Sequence, residues 1–332
     1  MNMSGSNLPE MSVVIVTPDD YETIRKVIKC LHAQTVRDRL QLIIVAPSAE
    51  TLVVDPQELK DFFQYRVVGV GKIGSIASGS AAGLRQADAP LVAFVEEHSY
   101  PNPEWAEALI KVHQQPWAAV GPVMRNANPG SLTSWVDFLI HYGRWLDPVP
   151  AGPIDHLPGH NSSYKRSILL DYGSSLEDMI EAESVLHWDL GAKGYKLYLE
   201  PAAKISHLNF ERFSSWTSAQ FHSGRLFAAT RAKLWSFSRR LLYIGGTPLI
   251  PAVCLWRTLR HLRRSQEQYH LFPKILPVLT LGLVINAAGE MAGLLLGAGN
   301  AKEKMGNLEF HRERHLNRRG RRLNLAHSNN QR

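Results

Sequence analysis

Residues 12–35 read SVVIVTPDDYETIRKVIKCLHAQT. Ser12–Thr17 is a short run of β-branched apolar residues, the composition of a strand buried inside a sheet. After a turn at Pro18 and Asp19, the stretch from Glu22 to Gln34 carries Ile24, Val27, Ile28 and Leu31. That spacing places four apolar side chains on one helical face. A buried strand leading directly into an amphipathic helix is the opening unit of an α/β domain.

The same alternation continues outward. Leu40–Ala46 and Gln64–Val70 read as further strands, Ile76–Ala87 as a helix rich in small residues, Leu91–Val95 as a strand, and Pro103–His113 as a helix. This order predicts a mainly parallel sheet flanked by helices. Ligands of such sheets bind beyond the carboxyl ends of the strands, so polar residues just after Val16, Ala46 and Val95 carry the interest.

With 332 residues, 45% hydrophobic and 20% charged, the chain has ordinary globular usage, and wholly disordered or collagenous classes are excluded. Cys30 and Cys254 stand far apart with no CxxC or Cys/His cluster, which excludes a disulfide scaffold and a structural zinc finger. No cleavable leader is expected, because residues 1–9 are polar and Val13–Val16 is too short an apolar run.

The net charge of +7 is unevenly spread: residues 1–211 hold 17 basic and 25 acidic residues, residues 212–332 hold 20 and 5. An acidic body is thus joined to a basic segment suited to an anionic surface. That segment also holds two apolar runs, Leu241–Trp256 and Ile275–Gly299, the second long enough to span a bilayer. Basic clusters at 231–240, 257–264 and 312–322 flank both runs. The positive-inside rule is best met with all three clusters on one side and the runs dipping into the membrane or lying along it. The alternative is that these helices pack on the soluble domain or on another protomer. Asn286 and Glu290 are expensive in lipid and pair with each other or with a basic neighbour. The basic half lacks aromatic interleaving or any helix-turn-helix or zinc pattern, so nucleic acid is not an expected partner. The expected organisation is a flexible N-terminus (1–10), an α/β domain (11–212), a helical membrane-associated region (213–300) and a basic polar tail (301–332).

Four stretches in order carry a resemblance to the family 2 glycosyltransferases. Residues 12–35 resemble the family's opening, with Thr17, Glu22, Thr23, Ile24, Gln34 and Thr35 in register. Residues 79–110, GSAAGLRQADAPLVAFVEEHSYPNPEWAEALI, are similar to its helix, strand, acidic triplet and Pro-x-Pro-x-Trp run. PGHNSSYKRSILLDYG (158–173) and AESVLHWDLGAKGYKLYLEPAAKISH (182–207) resemble the segments that follow. The resemblance covers about residues 10–210 and implies the GT-A nucleotide-diphospho-sugar transferase fold.

It also implies roles. The acidic triplet is here Glu96-Glu97-His98, with Glu96 and His98 replacing the family's outer aspartates. His207 matches the histidine that completes a metal site. Glu96, His98 and His207 are therefore the expected ligands of Mn²⁺ or Mg²⁺, which neutralises the departing diphosphate as a Lewis acid; an imidazole shifts the preference toward Mn²⁺. Glu183 falls where the family carries its general base, with Ala182 in place of the preceding acid, and Glu177-Asp178 aligns with an earlier loop. Thr17, Pro18, Asp19, Glu22, Lys72, Ser80, Glu96 and Glu97 are the expected donor contacts. Gly159, His160, Asn161 and Trp188 are the expected lining of the acceptor pocket; Trp135 and Trp145 are core residues or sugar-stacking faces. Gln220 and Arg225 lie near the place of a Gln/Arg motif on an interface helix of related membrane synthases.

The expected activity is an inverting transfer of a sugar from a nucleoside diphosphate to a hydroxyl of a glycan or lipid-linked acceptor, at the cytoplasmic face of a membrane. The rival expectation is a catalytically weakened domain serving as a binding or scaffold subunit of a polysaccharide-synthesis complex.

Overall fold

The computed structural model describes residues 8–233, 235–264, 266–318 and 320. Most of the expected flexible N-terminus (1–7), Arg321, Arg322 and the rest of the tail lie outside the described residues. The strands are β1 Met11–Val16, β2 Leu40–Ala46, β3 Gln64–Gly69, β4 Leu91–Val95, β5 Ser99–Pro101, β6 Ala119–Asn126, β7 Gly152–Ile154, β8 Ser163–Lys165 and β9 Leu197–His207. The helices are α1 Tyr21–His32, α2 Ile76–Arg85, α3 Trp105–Val112, α4 Leu132–Tyr142, α5 Arg166–Leu170, α6 Leu176–Glu181, α7 Glu183–Ala192, α8 Phe213–Ala232, α9 Phe237–Gly246, α10 Ile250–Leu262, α11 Gln266–Tyr269, α12 Phe272–Leu296 and α13 Ala301–Glu309.

The chain divides into two compact units, residues 1–123 with 150–206, and residues 124–149 with 207–332. The strands form one sheet in the order β3-β2-β1-β4-β8-β6-β9-β5, with β7 paired to β9. β3, β2, β1 and β4 run parallel, in register Val14↔Ile43 and Val14↔Phe94. The expectation of a mainly parallel sheet holds for this half. Beyond it, β8 pairs antiparallel with both β4 and β6, and β7 with β9. The reversal has a local cause: β8 enters from the turn Gly159–Asn161, beside the carboxyl end of β4, and returns without the helical crossover a parallel strand needs.

Local chemistry fixes the first unit. Asp20 caps α1 by accepting from Thr23 N at 3.1 Å, and Ser75 and Ser78 close a capping box at α2. α2 lies tight on β1 because Gly79 and Gly83 leave room for Val16 and Val14; a Cβ at either position would come within 2.6 Å of a valine methyl. Every residue of β1 and β2 is buried.

In the second unit α12 is the central helix, packed against α8, α4 and α10. Its contact with α8 is a glycine seam. A Cβ at Gly289 or Gly293 would lie 2.1 or 2.3 Å from the Phe221 or Arg225 carbonyl oxygen, so the backbones approach as closely as small-residue helix pairs allow. The charge of Glu290 is met by Arg231 of α8, and Asn286 donates to the Gln220 carbonyl at 3.1 Å. Of the two expected arrangements, Glu290 takes the one with a basic neighbour rather than the pairing with Asn286. Asp137, fully buried on α4, accepts from Phe210 N (3.1 Å) and Gln220 Nε2 (3.2 Å), faces His141 Nδ1 at 3.4 Å and Arg312 at 4.0 Å. The beginning of the expected polar tail is structured: Arg312 is buried, pairs with Glu309 and lies 3.7 Å from the Phe210 ring centroid.

Candidate active site

The polar residues gather just past the carboxyl end of β4. Glu96, Glu97 and His98 are all buried, at 5%, 6% and 1% exposure. Burial of three ionisable groups in succession is costly unless each is partnered. Glu96 Oε2 accepts from Asn161 Nδ2 at 2.6 Å and from Ser99 Oγ at 3.3 Å. His98 Nδ1 pairs with Glu97 Oε2. His207, the last residue of β9, pairs through Nδ1 with Asn209 Oδ1 at 2.9 Å, and its ring lies 4.4 Å from that of Tyr142.

Glu96 and His98 belong to the first unit and His207 to the second; all three are buried. The donor set fits a divalent cation. Each imidazole has one ring nitrogen engaged by a side-chain oxygen, the outer-sphere arrangement that fixes tautomer and orientation in metal-ligating histidines. One carboxylate with two imidazoles suits Mn²⁺ better than Mg²⁺, which prefers oxygen.

The turn Gly159–Asn161 joins this cluster to a second carboxylate. Glu183 opens α7 after a break at Ala182 (φ −111°, ψ 64°). Its Oε2 accepts from Gly159 N at 2.9 Å, and its Oε1 from His160 N at 3.3 Å; His160 Nε2 stands 3.0 Å from the same Oε1. The same turn therefore holds Glu183 through its amides and Glu96 through Asn161. The Glu183 side chain is 27% exposed, which leaves a face open to a ligand. Burial pushes its carboxyl above the usual range; the His160 charge opposes this, Glu96 adds to it, and the two amides oppose it. A raised carboxylate beside a second acid has the properties of a general base.

Behind the turn runs a chain that the sequence did not disclose. Tyr164 Oη lies 3.4 Å from the Gly159 carbonyl and 3.0 Å from His187 Nε2; His187 Nδ1 meets His156 Nδ1 at 3.0 Å, and His156 Nε2 meets Ser184 Oγ at 3.2 Å. Ser99 and Asn209, which steady Glu96 and His207, were likewise not singled out. Their only signal is a position one or two residues from an expected ligand.

The remaining expected residues divide. Thr17 is buried, and its Oγ1 donates to the Asp20 carbonyl at 2.5 Å, closing the turn. Asp19 Oδ1 accepts from Thr23 Oγ1 at 2.8 Å, and Glu22 pairs with Arg25 on the surface of α1; Pro18 is half-buried. Lys72 is exposed in the loop before α2, and Ser80 is buried within α2. Trp188 is half exposed on α7. Trp135 and Trp145 are buried, and Trp135 Nε1 donates to the Pro129 carbonyl at 2.9 Å, so both are core residues rather than open stacking faces.

The mixed sheet, with helices on its flanks and an acid–acid–histidine cluster past its fourth strand, agrees with the expected glycosyltransferase fold. Residues 12–173, just under half of the chain, match the model of glycosyl transferase family 2. No curated protein matches it. Among solved structures it is similar to S. aureus TarS 1-349 in complex with UDP, at 15% identity over 85% of this chain and 89% of that chain, with a TM-score of 0.45. It is also similar to GalNAc-T7 with UDP, GalNAc and Mn²⁺, at 13% identity over 61% of this chain, with a TM-score of 0.45; it spans 44% of that chain.

Proposed function

We propose that the protein transfers a sugar, with inversion, from a nucleoside diphosphate to a hydroxyl of a glycan or lipid-linked acceptor, at the cytoplasmic face of a membrane. The observation that carries this reading is the turn Gly159–Asn161, which fixes two carboxylates at once: Glu183 through two amides and Glu96 through Asn161.

Glu183 takes the proton of the acceptor hydroxyl. The freed oxygen attacks the anomeric carbon of the donor, the bond from that carbon to the diphosphate oxygen breaks, and the nucleoside diphosphate leaves. His160, 3.0 Å from Glu183 Oε1, orients the carboxylate so that its other lone pairs meet the acceptor. Glu96, His98 and His207 would hold the divalent cation, which neutralises charge on the leaving diphosphate. Glu97 fixes the His98 ring through Nδ1. The loop residues Thr17, Pro18 and Asp19, with Glu22, Lys72 and Ser80, face the task of binding the nucleotide; Trp188 would offer an apolar face to the acceptor sugar. Membrane attachment is read from the basic second half and from α12, the one helix among the described residues long and apolar enough to cross a membrane.

The test is titration calorimetry of the purified protein against a panel of nucleoside diphosphates, with and without Mn²⁺. Metal-dependent binding of one diphosphate, lost in His98→Ala, is expected and names the donor's base. A well-folded protein that binds none would overturn the reading in favour of a scaffold subunit.

A further inference from the structure

The stretch from Ser236 to Arg264 contains six arginines and no acidic residue. Its uncharged centre, Leu241–Trp256, lies between Arg240 and Arg257. The structure folds the stretch as one helical path. α9 runs into a 3₁₀ turn, Thr247–Leu249, and then α10, with the backbone at Gly246, Thr247, Leu249 and Ile250 right-handed throughout. Pro248 and Pro251 sit at the break, where a missing N–H costs least.

The path is two-sided. On α9, Tyr243 and Ile244 pack inward with Trp235 against Ala228, Ala232 and Leu294. On α10, Thr258 and Leu262 are buried. The other side carries Phe237, Leu241, Leu242, Leu249, Val253 and Trp256, all exposed, with Leu242 at 72% and Leu249 at 68%. Leu249, Val253, Trp256 and Arg260 follow one another at i, i+4, i+7 and i+11, a single outward stripe. Its apolar part ends in the arginine: the Arg260 guanidinium lies 5.7 Å from the Trp256 ring centroid, the amphipathic aromatic–cation pairing suited to a lipid interface. His261 adds no charge near neutrality, since burial and the surrounding arginines push its pKa down to about 4.

We propose that this α9–α10 face docks in the plane of an anionic lipid bilayer, its leucines and Trp256 entering one leaflet while the exposed Arg239, Arg257, Arg260, Arg263 and Arg264 meet headgroup phosphates; Arg240 is turned inward, to the Leu294 carbonyl. Charge complementarity selects the occupant: a face with five exposed arginines and no anion repels a second copy of itself, and a zwitterionic surface gives the arginines little return. α12 need not cross. It is packed into the helical unit by its glycine seam, with Glu290 and Asn286 turned to partners on α8. The proposal rests on the membrane-face reading above and specifies the surface that meets the lipid.

The experiment is flotation of the full chain with vesicles of phosphatidylcholine alone and of phosphatidylcholine mixed with phosphatidylglycerol, at low and high salt. Binding to the mixed vesicles, weakened by salt, is expected. Arg257→Gln and Arg260→Gln should each lower the partition coefficient about fivefold, the equivalent of about 1 kcal/mol per basic residue near the surface. Leu242→Ser combined with Trp256→Ser should lower it at least as much. Quenching of tryptophan emission by brominated lipid should fall in Trp256→Phe. The replaced side chains are exposed, so circular dichroism and melting should not change. Equal binding by all variants, or a concentration-dependent dimer broken by the same substitutions without vesicle binding, would overturn the proposal. Retention on membranes through an alkaline carbonate wash would overturn the in-plane placement. Nucleotide titration of the same preparations separates this surface from the active site: it should be identical in wild type and variants.

Discussion

The Gly159 amide donates to Glu183 Oε2 at 2.9 Å, and a Cβ built on Gly159 would stand 2.8 Å from Cγ and 2.9 Å from Cδ of that glutamate. The position holds the carboxylate by hydrogen bond and by the absence of a side chain. Gly159→Ala should therefore push Glu183 off its place without emptying the core. Misplacement of a reacting group by about 1 Å costs on the order of 100-fold in rate. The expected outcome is a fall in kcat of that order, with diphosphate affinity by calorimetry unchanged. Full activity in the alanine variant would show that the Glu183 carboxylate need not stand where the turn puts it.

A raised Glu183 carboxyl sets the acid limb of the rate profile. The proposed base acts ionised, so kcat/KM should fall as pH drops through its pKa, and burial places that fall above the range of an ordinary glutamate. His160 opposes the shift by its charge, so His160→Gln should move the limb further upward. Glu183→Gln should remove the limb together with activity, about 10²–10⁴-fold. The linkage to stability has the opposite sense: a carboxyl raised by burial favours the fold at low pH, and that contribution is lost as pH rises through the folded-state value. A pH–rate profile and a pH series of melting curves should thus move in opposite directions.

Asn209 offers a test of the cation site that leaves the ligands intact. Its Oδ1 meets His207 Nδ1 at 2.9 Å, and its Nδ2 donates to Asn126 Oδ1 and to the His207 carbonyl. Loss of an outer-sphere partner typically weakens metal affinity 10–100-fold. Asn209→Ala should lower Mn²⁺ affinity in that range, read by equilibrium dialysis or by the free-Mn²⁺ resonance signal, while His207→Ala should lower it further. Unchanged affinity in both variants would remove His207 from the site.

The parallel half of the sheet was legible because hydrophobic periodicity is local: the expected bounds of β2 and β4 match, and those of β1, α1 and α2 shift by only one or two residues. β5, β7 and β8 are three residues each, too short for any period to show. The site was legible as a succession of residue types, but its connections were not. That one turn would carry both Glu96 and Glu183 depends on β8 running back along β4, a tertiary fact. The His156–His187–Tyr164 chain is invisible for the same reason. Residues 301–332 read as a solvated basic run because charge alone says nothing of a distant partner; the burial of Arg312 is decided by Asp137 on α4 and Phe210 after β9.

Asp137 is where the second unit is most vulnerable. Burial alone would raise its carboxyl, but the hydrogen bond and charge of His141, the charge of Arg312 and the Phe210 amide outweigh it and hold the pKa low; His141 is raised in turn, because Asp137 outweighs its burial. The two signs bound a window. The depressed Asp137 contributes stability that is present above its unfolded value and lost as pH falls through the folded one. The raised His141 contributes stability that is complete below its unfolded value and lost as pH rises through the folded one. Stability should therefore be greatest between the carboxylate and histidine ranges. Asp137→Asn leaves the Arg312–Glu309 pair in place and removes a charged acceptor from three donors. Removing one partner of a buried ionic network costs about 3 kcal/mol, and the variant should lose the acid and alkaline slopes together. Arg312→Met removes the charge and its contact with the Phe210 ring face but fills much of the same space with an apolar side chain, so it should destabilise less than Asp137→Asn. Chemical denaturation of the three proteins across pH decides it: a loss in Arg312→Met as large as in Asp137→Asn would place the stabilisation in the Arg312 charge rather than in the other donors around Asp137.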